Sequence, residues 1–187
     1  MITRDEKGQW SNRAEDTITI EPYDTRWADQ FTDERRAIRN CVDASVLLVI
    51  EHFGSTAVPG VPAKPIIDIL IGAKRQHWAA IVQALKRIGY VHWEDNPDTE
   101  REFLVKGMPP FGARRTHHVH LCEIGSPFWE RLLFRDYLID HAEDRMAYAS
   151  LKSRLAAAHR DDREAYTRGK DAFVAEIMDR ARVWRRV

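Results

Sequence analysis

Gly54-Ser55 closes one apolar stretch, and 13 positions after Ser55 a lone Asp68 stands inside the next, within IEHFGSTAVPGVPAKPIIDIL (residues 50–70). An ionised carboxylate in a β-branched run is costly unless something compensates it. A glycine in a tight turn lets backbone approach a phosphate closely, and Ser55 and Thr56 offer N–H and hydroxyl donors beside it. Mg²⁺ takes carboxylate oxygens and keeps waters and substrate phosphates as its other ligands. The spacing therefore reads two ways: a turn followed by a structurally paired Asp, or a phosphate cradle followed by a metal carboxylate.

A second set of groups lies in THHVHLCE (residues 116–123). Strand alternation puts Thr116, His118, His120 and Cys122 on one face and His117 on the other. Two histidines at i and i+2 can hold one metal ion. Joined by Asp68 they make a two-His, one-carboxylate set, which suits Zn or another transition ion better than Mg. Glu51, at the end of the strand before the Gly-Ser turn, is a candidate fourth ligand. His120 is also a candidate general acid–base or substrate contact, because an imidazole titrates near neutrality; hydrogen bonding in a polar cleft is the structural alternative. Among the cations, Lys64 precedes the Asp68 strand, and Arg101 and Lys106 bracket REFLVK. These three are the candidate phosphate contacts, with Arg able to bind bidentately. Arg114 and Arg115 read as a solvated loop.

The elements that must position these groups follow from periodicity. Asp24 can cap a helix over 25–40, with Trp27, Phe31, Ile38 and Cys41 inward. SVLLVIEHF and KPIIDILIG read as buried strands. Between them and the histidine strand come an amphipathic helix in RQHWAAIVQALKRIG, with Trp78, Ile81, Val82, Leu85 and Ile88 on one face, and short strands in YVHW and REFLVKG. Ser126-Pro127 reads as a helix start, with Ser126 capping and Pro127 at the first helical position. Breaks near His141 and Asp161-Asp162 then predict three C-terminal helices. The expected layout is a tail over 1–15, an α/β core over 16–125 and a helical region over 126–187.

The 187 residues carry 29 Lys+Arg against 29 Asp+Glu, so the formal charge is zero and nothing in bulk electrostatics favours nucleic acid or an anionic membrane. No apolar run approaches the roughly 20 residues of a membrane span. The N-terminus has no apolar signal-peptide core. Cys41 and Cys122 lack metal-site spacing and read as small residues of a reduced compartment, so a cytoplasmic location is expected. Oligomeric state is left open.

IEHFGSTAVPGVPAKPIIDIL resembles the signature of the GrpB-like proteins. The resemblance continues through THHVHLCEIGSPFWERLLFRDYL, YASLKSRLA and YTRGKDAFV, and it spans the chain from near Tyr23 to near Trp184. It implies a nucleotidyltransferase-like α/β (α+β) fold, a mixed sheet flanked by helices and followed by a helical bundle. That superfamily carries a Gly-Ser turn and then a strand with two carboxylates one residue apart. Gly54 and Ser55 match the turn and Asp68 one carboxylate, but Ile66 and Leu70 are apolar where the second would stand. One Asp cannot hold the two ions of a two-metal centre. The resemblance thus implies binding of a nucleotide or other phosphorylated small molecule, with Mg or Mn, and Zn as the less favoured ion. Catalysis would be metal-dependent nucleotidyl or phosphoryl transfer with Asp68 and His120 central. The alternatives are a non-catalytic nucleotide-binding module and a metal-dependent hydrolase using Asp68, His118 and His120. Family members also occur joined to dephospho-coenzyme A kinase, an association that bears on function by analogy only.

Overall fold

A computed structural model describes residues 17–186 and the backbone of two short strands, β1 (Thr3–Arg4) and β2 (Trp10–Ser11), which pair antiparallel. The tail expected over 1–15 otherwise lies outside the described residues. The chain divides into two compact units. One comprises Thr25–Ala57 and Ile66–Glu130; the other comprises Met1–Asp24, Val58–Pro65 and Arg131–Val187. The helical unit thus takes the proline-containing segment 58–65, which the sequence layout had put in the core.

The first unit is built on a mixed five-stranded sheet of order β3-β4-β7-β6-β5. Its strands are β3 (Val49–Phe53), β4 (Ile67–Gly72), β5 (Tyr90–His92), β6 (Glu102–Lys106) and β7 (His117–Cys122). Only β4 and β7 run parallel, with Asp68 opposite His118 and Leu70 opposite His120. β4 has a neighbour on each side, and apart from Asp68 its residues are buried on both faces. That is why IDILIG reads as a near-continuous apolar run rather than an alternating one.

Helices α1 (Arg26–Cys41) and α2 (Trp78–Arg87) belong to this unit. The apolar positions expected inward on them are buried, with two exceptions: Cys41 and Ile88 are half-buried at the helix ends. Thr25, rather than Asp24, occupies the cap position of α1. Glu34 is buried among the apolar side chains of α1. Its carboxylate accepts from Lys106 Nζ at 2.8 and 2.9 Å and from the Tyr90 hydroxyl at 3.0 Å, with His117 Nε2 3.9 Å away. Burial first, and then the Glu34 charge, push the Tyr90 phenol well above its ordinary value.

In the second unit, four helices stand where three were expected: α3 (Leu132–Asp140), α4 (Ala142–Ala158), α5 (Arg163–Arg168) and α6 (Asp171–Trp184). The extra break falls at Gly169, where a Cβ would come within 2.5 Å of Leu155 Cδ2, so α5 and α4 are in close contact there. Ser126 does cap, accepting from the Trp129 N–H at 3.2 Å, but it opens a 3₁₀ turn and the α-helix starts only at Leu132. Val58, Val61, Leu133, Tyr137, Leu138, Tyr148, Ile177, Met178 and Ala181 form this unit's core. Among the described residues no helix is long and apolar enough to cross a membrane.

Removing one partner of a buried charge pair strands the other. Glu34→Ala is therefore expected to lower the unfolding free energy by about 3 kcal/mol in a denaturant titration; a loss under about 1 kcal/mol would show that water already compensates Lys106.

Candidate metal and phosphate site

Register decides which candidates meet. Asp68 lies opposite Phe53 on β3 and opposite His118 on β7, and His118 and His120 lie opposite Val105 and Phe103 on β6. Asp68, His118, His120, Phe103 and, just before β6, Arg101 thus belong to one sheet face. His118 Nδ1 is 3.0 Å from Asp68 Oδ1, and His120 Nε2 is 3.9 Å from the same oxygen. One potential ligand atom from each of the three residues falls within 4.8 Å of the other two. Two imidazoles and a carboxylate gathered in this way match the donor set of a transition-metal ion.

Burial alone would raise the Asp68 carboxyl, but hydrogen bonding and charge from His118 and His120 outweigh it and hold the group well below the usual carboxylate range. Burial pushes His120 down to about 4, against the pull of Asp68 and with the help of the Arg101 charge. At neutral pH the site therefore holds an ionised carboxylate beside a neutral imidazole.

Gly54 completes the approach from β3. Its φ is +72°, and a Cβ there would lie 2.5 Å from Asp68 Oδ2. The Gly-Ser turn and the strand carboxylate are thus in contact. Ser55 opens the 3₁₀ turn Ser55–Ala57 immediately after.

Arg101 is held on several sides. Its Nε donates to Asp98 Oδ2 at 2.8 Å, and its Nη1 donates to His120 Nδ1. Its guanidinium carbon lies 4.6 Å from the Phe128 ring centre and 5.2 Å from that of Phe103. Phe128 also stacks on His120 at 5.2 Å, and Phe53 meets His120 edge-on at 5.6 Å. These three phenylalanines and Asp98 were missed in the sequence. Phe103 was within reach, because period-2 spacing from Arg101 puts it on the same face.

The other candidates lie elsewhere. Lys106 is on the opposite face, paired with Glu34, together with His117. Arg101 and Lys106 are five positions apart, and an odd spacing puts them on opposite faces of one strand. The Thr56 hydroxyl is buried, within 3.0 Å of His52 Nε2 and 3.4 Å from the Ile66 carbonyl to which it donates. Lys64 belongs to the helical unit, its ammonium 5.3 Å from the centre of the Tyr166 ring. Glu51 shares the sheet face of Asp68, opposite Leu70, but is not among the three residues whose ligand atoms cluster. Cys41 and Cys122 are free thiols, and burial pushes Cys122 up to about 11.

This architecture, a mixed sheet whose central parallel strands present a carboxylate and two imidazoles beside a glycine turn, defines a mixed α+β protein. Residues 17–180 match the GrpB protein family, and the chain belongs to that family. It is 49% identical over 174 residues to a UPF0157 protein of Pseudomonas aeruginosa, covering 92% of this chain and 71% of that one. The crystal structure of the conserved protein GrpB from Enterococcus faecalis superposes with a TM-score of 0.77 at 33% identity, covering 89% of this chain and 99% of that one. A more distant likeness, 28% identity over 192 residues, is to a dephospho-CoA kinase of Mycolicibacterium paratuberculosis; it covers 89% of this chain and 46% of that protein.

Gly54 and Gly60 separate the steric role of the turn from its backbone role. Both have positive φ, +72° and +81°, but a Cβ at Gly60 meets nothing within 4 Å. Gly60→Ala is expected to cost only the left-handed strain, roughly 1 kcal/mol. Gly54→Ala adds the collision with Asp68 and is expected to cost about 3 kcal/mol in thermal or denaturant unfolding. Equal losses would mean that the carboxylate yields freely.

Proposed function

We propose that this protein binds one divalent metal ion through Asp68, His118 and His120 and, with it, a phosphorylated small molecule or nucleotide. The observation that carries the reading is the clustering of three ligand atoms within 4.8 Å against the Gly54 turn. The donor set favours Mn or Zn over Mg, since imidazole is a poor partner for the harder ion. Bound there, the ion would neutralise phosphate charge and polarise the phosphorus under attack.

The chain's own groups divide the remaining work. Gly54 lets the turn lie against the Asp68 carboxylate, and Ser55 supplies the adjacent N–H and hydroxyl to phosphate oxygens. Arg101, braced by Asp98 and the two ring faces, offers a planar guanidinium to phosphate oxygens. Phe53, Phe103 and Phe128 wall the site with apolar surface, which strengthens every charge interaction inside it. The reaction class that fits is nucleotidyl or phosphoryl transfer, on a fold of nucleotidyltransferase type. The likeness to a dephospho-CoA kinase supports a nucleotide-bearing substrate.

A second reading, nucleotide binding without turnover, is favoured by one residue. Leu70 is fully buried at a position where the second carboxylate of a two-metal centre would stand. Zinc and manganese titrations by calorimetry, with and without ATP, test the binding that both readings share. The wild-type chain should bind metal in the micromolar range, and Asp68→Asn, which keeps the volume but removes the charge, should weaken it at least tenfold, about 1.4 kcal/mol. Heat silence with both ions, with ATP present and absent, would sink both readings. Release of pyrophosphate or phosphate from a bound nucleotide then separates transfer from binding alone.

A further inference from the structure

We infer that Arg101 gates the metal site: it blocks His120 from ligating an ion until an anionic group draws the guanidinium away, so that metal and phosphate admit one another. The inference rests on the metal reading above and adds its regulation.

The argument starts from hydrogen-bond direction. A guanidinium only donates, so the Arg101 Nη1 contact requires a lone pair on His120 Nδ1. His120 is then the tautomer protonated on Nε2, and Nε2 is the atom that faces the Asp68 carboxylate. A metal ion needs a lone pair, not an N–H. For Nε2 to ligate, the proton must move to Nδ1, where it would point straight at an Arg101 N–H. For Nδ1 to ligate instead, the ion would have to take the place of the Arg101 nitrogen. Either route requires Arg101 to leave His120.

Arg101 does not leave unaided. Asp98 holds its Nε, and the Phe103 and Phe128 rings hold its plane. Without an anion, the guanidinium also sets a positive charge beside the place where a cation must enter. A phosphate oxygen is a stronger acceptor for a guanidinium than a neutral imidazole nitrogen, because the bond gains charge on both sides. Capture of Arg101 by phosphate thus frees His120 Nδ1 to take the proton and Nε2 to take the ion. By linkage, whatever factor the anion gives the metal, the metal gives the anion. The device would keep free metal out of the site until a phosphorylated ligand is present.

Two measurements on the full chain test it. The first is Zn²⁺ calorimetry on wild type and Arg101→Leu, with adenosine monophosphate as the anionic probe. Wild type should bind Zn²⁺ at least tenfold more tightly with the nucleotide than without it. Arg101→Leu should bind Zn²⁺ alone at least tenfold more tightly than wild type does, and the nucleotide should no longer matter. The second is ¹⁵N–¹H correlation of the histidine rings in wild type, which needs no variant to fold. His120 should be protonated on Nε2 without metal and on Nδ1 with Zn²⁺ and nucleotide bound. Zn²⁺ affinity that is unchanged or weaker in Arg101→Leu, or a metal-free His120 already protonated on Nδ1, overturns the gate and leaves the metal site standing. No Zn²⁺ binding by either protein under either condition overturns the metal site and the gate together.

Discussion

The charge on Asp68 has to be compensated inside a strand whose other residues are apolar, and the arrangement around it follows from that need. The parallel pairing of β4 with β7 puts His118 directly opposite Asp68 and His120 two residues further along the same face. The His118 hydrogen bond keeps the carboxylate ionised in spite of burial. On the β3 side, any side chain at residue 54 would collide with the carboxylate, and only glycine leaves the space. On the β6 side, Arg101 and Phe103 complete the surround. Gly54, Arg101 and the His118–His120 pair come from three segments that share little sequence proximity, and one carboxylate relates them all.

The two faces of the sheet solve the same problem differently. On the α1 face, Glu34 meets Lys106 and Tyr90, a closed set in which the ammonium and the phenol satisfy the carboxylate. On the other face, Asp68 meets imidazoles, which can donate a proton or a lone pair according to tautomer. The first arrangement suits a structural ion pair. The second can exchange hydrogen bonds for metal bonds without changing the residues involved, which is why it, and not the Glu34 cluster, is the functional candidate.

Much of this is legible in the sequence, where local periodicity governs. The alternation of THHVHLCE separates His117 from His118 and His120, and the sheet keeps that separation. The strands and the inward residues Trp27, Phe31, Ile81 and Leu85 follow from spacing alone. Lys106 was misplaced although its odd spacing from Arg101 already ruled out a shared face. Glu34 was overlooked because a carboxylate on an apolar helix stripe finds its partner 72 positions away. Lys152 is likewise buried, donating to the Pro62 carbonyl 90 positions away, and nothing local announces it. The glycine at 169 leaves room for Leu155, again a tertiary matter.

The parallel pairing of β4 and β7 also bears on how the chain folds. β5 and β6, which pair antiparallel, and α2 lie between the two strands, so Asp68 and His118 meet across 50 positions. Closing a loop of that length costs more entropy than forming a hairpin or a helix. Long-range parallel pairing is correspondingly slow. The candidate ligand set therefore exists only after the most distant of these contacts has closed, and a partly folded chain, even with its hairpin and helices in place, presents no assembled site. Bound metal or phosphate would then act on the unfolding rate, holding the last contact shut, and leave the rate of folding nearly unchanged.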